Sequence, residues 1–152
     1  DYTICGIGLP TVFRRKPAPE SSVKILDQQG LDVKTCTLER TLVDCLDRPD
    51  LGGDWEEVWK SFAGVPTLRL DSVVEYALSL GKAIVAAKTG YFLGQNRGRW
   101  DVEDRHLDAL KKSAPKSLTY LDLTKKGQSS SVAEWNLEVP LAIQEKSWEE
   151  PE

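Results

Sequence analysis

The stretch TLERTLVDCLDRPDLGGDWEEVW, Thr37–Trp59, decides how this chain is read, because the hydrophobic period changes within it. Before it, apolar residues alternate with polar ones; within it, they recur at offsets of three and four, the signature of a helix. Thr37 is placed to cap a helix whose apolar face is Leu38, Leu42, Cys45 and Leu46. Pro49 ends that helix and Leu51-Gly52-Gly53 makes the turn. Asp54, with Glu57 three residues on, opens a second helix in which Trp55, Val58, Trp59 and Phe62 share one face.

Upstream, YTICGIGL reads as strand, with Pro10 confining it to an edge or a strand end. VKILDQQ and LDVKTCT flank Gln29-Gly30 and form a predicted hairpin in which Val33 is half-buried. Downstream, a third helix starts near Asp71, its inward face being Val73, Val74, Tyr76, Ala77 and Leu80, and Gly81 stops it. A fourth, KAIVAAKTGYFLG, carries Ala86, Gly90 and Gly94 every four residues, a line along which a neighbouring helix backbone would approach. Asp101 caps a fifth, with Asp104 three residues on. LTYLDL and VAEWNLEVP return to strand, joined by the loop TKKGQSSS. Strands, then helices, then strands predict an α+β fold: a small mixed or antiparallel sheet from the N- and C-terminal strands, packed with about five helices.

With 152 residues, 40% of them hydrophobic and 29% charged, the chain suits one domain over residues 1–152 with a core of its own. A net charge of −4 argues against a protein that coats DNA. No apolar run is long enough to span a bilayer and no signal-peptide pattern opens the chain. It begins at Asp1 and contains no methionine, so a lost N-terminal segment is expected. Cys5, Cys36 and Cys45 form no CxxC pair and are expected to be buried, reduced thiols of a cytoplasmic protein.

His106 is the single histidine, which leaves little for a His/Cys zinc site, and it is expected at the surface or the core boundary. No GxSxG elbow supplies a serine nucleophile. SLGK at Ser79–Lys82 and KTG at Lys88–Gly90 match motifs of penicillin-recognising enzymes, but the two fall within one helical region. GKAIVAAKTG is no phosphate-binding loop. Asp32, Lys34 and Glu39 sketch a metal-dependent nuclease site, and Asp54, Glu56, Glu57, Asp71, Asp101 and Asp104 are helix-start carboxylates. No cofactor, metal ligand or catalytic residue is assigned.

Charged residues of the first helix remain. Arg40, Asp44 and Arg48 stand at i, i+4 and i+8, so that Asp44 would bridge both arginines, whereas Glu39 and Asp47 have no comparable arginine partner on their own side. These five, Glu39, Arg40, Asp44, Asp47 and Arg48, are either the charged side of a structural helix or a surface for a partner. Arg14, Arg15 and Lys16 form a compact basic run, either a contact for nucleic-acid phosphate or a solubilising sheet edge.

ERTLVDCLDRPDLGG at Glu39–Gly53, after a short hairpin and the basic RRK, resembles the C-terminal region of AbiEi-type antitoxins, which are described as predicted transcriptional regulators of viral defence systems. VVEYALSLGKAIVAAKTGYFL at Val73–Leu93 and the YLDL and WNLEVP segments are similar to later parts of that family, so the resemblance covers nearly the whole chain. It implies a non-enzymatic antitoxin of a type IV toxin–antitoxin pair, linked to abortive phage infection, with a nucleotidyltransferase-like toxin as partner. In the family an N-terminal winged helix binds the promoter; no such segment is seen here, so only weak DNA binding is expected. Two other classes stand beside this reading: a metal-dependent nuclease or other hydrolase of α+β fold, and a stand-alone DNA-binding adaptor.

Overall fold

The computed structural model describes residues 2–4, 7–9, 18–122, 127–146 and 148, and of 2–4 and 7–9 the backbone alone. The fold is α+β. Two short antiparallel strands, β1 (Tyr2–Ile4) and β2 (Ile7–Leu9), pair with each other. A second hairpin joins β3 (Val23–Gln28) to β4 (Leu31–Cys36). Gln29 and Gly30 both take positive φ, 55° and 84°, as the two-residue turn matching the twist of a hairpin requires. Gly30 N–H donates to Asp27 Oδ1 at 2.7 Å.

Five helices follow: α1 (Leu38–Asp47), α2 (Trp55–Ala63), α3 (Leu70–Ser79), α4 (Ala83–Gln95) and α5 (Asp104–Lys111). Then come β5 (Thr119–Tyr120), β6 (Ser129–Val132), β7 (Leu137–Pro140) and the short α6 (Leu141–Gln144). β7 lies between β5, to which it is parallel, and β6, to which it is antiparallel. Among the described residues the strands thus form three separate sheets, where the sequence suggested one. Among the described residues neither end supplies enough contiguous strand: VAEWNLEVP is interrupted by a 3-10 turn at Ala133–Trp135, and the three serines assigned to the preceding loop belong to β6.

Thr37 caps α1, its hydroxyl accepting from Arg40 N–H at 3.3 Å. Leu42, Val43 and Leu46 are fully buried, while Leu38 is exposed. The buried stripe runs through Val43 instead because α1 has α3, α4 and α2 against it. Asp54 caps α2 by accepting from Glu57 N–H at 3.0 Å, and Trp55, Val58, Trp59 and Phe62 are all buried. Trp59 meets Phe92 edge to face at 4.6 Å between centroids, a geometry favoured by the ring quadrupoles.

The centre of the fold is α4. Every residue from Val85 to Leu93 is buried, as in a helix enclosed on all sides. Its small-residue line serves a different neighbour from the one expected. A Cβ on Gly90 would overlap the indole ring of Trp135, whereas one on Gly94 would meet nothing within 4 Å. Gly90 is thus the seat of the Trp135 ring. α5 also starts differently: Glu103, not Asp101, is the cap, in a capping box closed by His106. No helix among the described residues is long and apolar enough to cross a membrane.

Candidate functional site

The expected Arg40–Asp44–Arg48 ladder does not form. Asp44 Oδ2 accepts from Arg40 Nε at 3.3 Å, but Oδ1 accepts from Tyr76 Oη on α3 at 2.9 Å. Arg48 is the residue that closes α1, with φ −132° and ψ 71°. Its departure from helical geometry swings the guanidinium to Asp50, at 3.0 and 2.8 Å. The Arg40 guanidinium also stands 5.8 Å from the centre of the Tyr76 ring.

Glu39 and Asp47 do have cationic partners, contrary to the expectation from local spacing. Glu39 Oε1 accepts from the backbone N–H and Nε of Arg69, both at 3.2 Å, and Oε2 from Nη2 at 3.4 Å. Asp47 Oδ2 accepts from Lys82 Nζ at 2.6 Å. In both pairs the acid is shielded and the base is not: side-chain exposure is 9% for Glu39 against 66% for Arg69, and 13% for Asp47 against 52% for Lys82. Burial opposes ionisation of Glu39, yet the hydrogen bonds and charge supplied by Arg69 outweigh it and hold the pKa below its ordinary value. The charged residues of α1 therefore fasten it to α3 and to the start of α4. In the Glu39 and Asp47 pairs the cationic partner, Arg69 or Lys82, faces solvent, whereas Arg48 and its partner Asp50 are both exposed.

Next to this helix lies a cation that sequence reading passed over as part of a motif match. Lys88 on α4 is buried, with Nζ 5.5 Å from the centre of the Trp55 ring. Burial lowers its pKa, against the raising effect of Asp47 and Asp122. Trp55 Nε1 in turn donates to Asp122 Oδ2 at 3.1 Å. The signal was in the sequence: a lone lysine inside the otherwise apolar run AIVAAKTGYFL.

A groove of about 290 Å³ opens between α3 and α5, lined in part by Thr67, Asp71, Arg99, Glu103, Arg105 and His106. His106, expected at the surface or the core boundary, is buried. Its Nδ1 accepts from Glu103 N–H at 3.1 Å, which places the proton of the neutral ring on Nε2. Nε2 lies 3.3 Å from Asp71 Oδ1 without meeting hydrogen-bond geometry. Arg105 ties the rim together by donating to Asp71 at 2.6 and 3.3 Å and to Glu103 at 3.1 and 3.2 Å. The Nδ1 of His106 is thus occupied by the α5 cap.

The nuclease triplet is not assembled as a site. Glu39 is occupied by Arg69, while Asp32 and Lys34 stand on the exposed β3–β4 hairpin. No three His, Cys, Asp or Glu side chains among the described residues gather closely enough to hold a metal ion. Ser79 Oγ donates to Tyr76 O at 2.7 Å within its own helix, and the KTG residues lie in α4, not on a strand. Cys36 is exposed and Cys45 half-buried, so the expectation of buried thiols fails for Cys36. Cys5 and the basic run Arg14, Arg15 and Lys16 lie outside the described residues. Compared with protein-family models, curated proteins and solved structures, the chain matches none of them.

Proposed function

We propose that this chain is a non-enzymatic regulatory domain of the AbiEi antitoxin kind, which neutralises a nucleotidyltransferase-like toxin in phage defence by contact along α1. The observation that supports this reading is the polarity of the α1 ion pairs. Glu39 and Asp47 are shielded beneath Arg69 and Lys82, and Arg48 adds a further exposed guanidinium. An acidic chain thereby offers a partner the cationic heads of Arg69 and Lys82 beside α1, with Arg48 paired to the exposed Asp50, a pattern suited to an acidic protein surface.

The residues that a catalytic reading would recruit are committed to structural bonds: His106 to the α5 cap, Ser79 to its own helix and Glu39 to Arg69. In this proposal Arg14, Arg15 and Lys16 add weak, salt-sensitive DNA binding without sequence preference, in the cytoplasm.

The experiment is co-expression with a nucleotidyltransferase-like toxin, read as growth rescue. The wild-type chain is expected to rescue. The double variant Arg48→Glu and Lys82→Gln is expected to stay folded by thermal melt and lose rescue. Full rescue by the folded double variant would reject α1 as the contact surface; failure of the wild type would reject the antitoxin reading.

A further inference from the structure

The β3–β4 hairpin keeps almost nothing of itself in the core. All residues of β4 except half-buried Thr35 are exposed, with Leu31 at 70% and Val33 at 40%. Among the described residues no other strand joins either of its edges. An isolated two-stranded hairpin is marginal in water, and an open, apolar edge is a template for another strand.

The register fixes what that edge offers. Gln28 and Leu31 face each other across the two-residue turn, and such a closing pair is hydrogen-bonded. Thr37 N–H donating to Ser22 O at 3.1 Å continues the same series at the other end. By the alternation of an antiparallel ladder, Leu31, Val33 and Thr35 turn their backbone groups toward β3, and Asp32 and Lys34 turn theirs outward. Side chains alternate as well. Leu26, Leu31 and Val33 share one face of the hairpin, and Asp32 and Lys34 share the other.

We propose that two copies of this chain pair through the outer edge of β4, antiparallel about a two-fold axis at Val33, joining their hairpins into one four-stranded sheet. In that register the outward backbone groups of Asp32 meet those of Lys34 in the second copy, and the same bonds repeat across the axis. Their side chains, aspartate and lysine, then stand directly opposite. On the other face Val33 meets Val33, flanked by Leu31 and Leu26 of both copies. The neighbouring symmetric registers are unfavourable: an axis at Asp32 sets aspartate against aspartate, and one at Lys34 sets lysine against lysine. Like charges directly opposite destabilise a sheet. Charge complementarity within one strand thus favours a second copy of the chain with its axis at Val33 over either neighbouring register. The inference does not depend on the antitoxin reading.

The test is sedimentation velocity of the full chain across a concentration series, with Asp32→Lys, Lys34→Asp and the double exchange. The wild type is expected to form a dimer that dissociates on dilution. Each single variant should weaken association by roughly tenfold or more, and the double exchange should restore it. Both substituted side chains are solvent-exposed, and a thermal melt checks that each variant is folded. A second arm uses Val33→Cys with Cys36→Ser, where mild oxidation should yield a dimer linked through residue 33, located by peptide mass mapping. A monomer at every concentration overturns the proposal, as does a dimer indifferent to Asp32→Lys or a failure of the double exchange to restore pairing. Capture of a different protein by the hairpin while the chain stays monomeric also overturns it.

Discussion

Tyr76 donates its phenolic proton to Asp44 across the α1–α3 contact at 2.9 Å, in place of the second arginine that helical spacing had assigned to that carboxylate. The bond joins residues 32 positions apart and lies beside the fully buried Leu42, Val43 and Leu46. Tyr76→Phe should cost about 1 kcal/mol, the net worth of one such bond. Leu42→Ala should cost about 2–5 kcal/mol through the cavity it leaves. Urea melts measure both, and a Leu42→Ala loss below about half a kcal/mol would mean that α1 is not seated as described.

Gly90 has no room for a side chain. Gly90→Ala drives a methyl into the Trp135 ring, and overpacking of this kind costs about 1–3 kcal/mol. Adding Trp135→Leu to Gly90→Ala should recover part of that loss, because the smaller side chain vacates the seat. If the double variant is less stable than the two single losses combined, the ring and the glycine are not coupled in this way.

Glu39 sets part of the acid sensitivity. Its pKa is held below the ordinary 4.5, so the unfolded chain binds the proton more readily than the folded one. The stability contributed by Glu39 is present above pH 4.5 and is lost as pH falls through the lower folded-state value. Glu39→Gln should therefore be less stable than wild type at neutral pH, with the gap narrowing in acid. A gap that is constant from pH 7 to pH 3 would show that the carboxylate charge plays no part.

Lys88 also makes stability rise with pH, but here it is the charged form that the fold disfavours. Burial lowers its pKa from 10.5, so between the folded value and 10.5 the unfolded chain holds more protons and stability rises with pH. Lys88→Met keeps the stem and removes the buried ammonium. It should be at least as stable as wild type near neutrality, and its advantage should shrink as alkali deprotonates the lysine. Thermal melts in parallel from pH 7 to pH 10 measure this; a large loss at pH 7 would mean that the ammonium is stabilising where it sits.

The thiols should differ in reactivity. Cys36 is exposed, whereas burial and the neighbouring Asp44 charge push the Cys45 pKa upward. A thiol reagent at neutral pH should label Cys36 well before Cys45, because the thiolate is the reacting form. Peptide mass mapping over time reads the order, and faster labelling of Cys45 would contradict its shielded position.

The α+β class, the five main helices and the β3–β4 turn were legible because they rest on local rules: apolar period, caps at Thr37 and Asp54, and positive φ at Gln29-Gly30. What escaped was set by distance along the chain. Glu39 finds Arg69 and Asp47 finds Lys82 only after α1 packs on α3 and α4, and no local spacing announces either pair. Sequence alone puts His106 at the surface or the core boundary, in a helix whose start is rich in acids. Its ring is buried because the Glu103 backbone needs an acceptor at the α5 cap. Gly90 advertised a close approach, but sequence could not tell a helix backbone from the Trp135 indole. The ladder through Arg48 failed because helical spacing was carried one residue past the end of α1.

The enclosure of α4 has a consequence for the order of synthesis. The ribosome delivers α4 before Trp135, β7 and α6, the segments carrying Trp135, Leu137, Val139 and Ile143 of the shared core. A nascent chain ending near residue 112 holds a helix that is apolar nearly all the way round, with the Gly90 seat unfilled. Chains caught at that length should be cut readily by protease and held by chaperones. Chains extended past Ile143, with enough linker to clear the exit tunnel, should resist, so β7 and α6 act as the latch on α4.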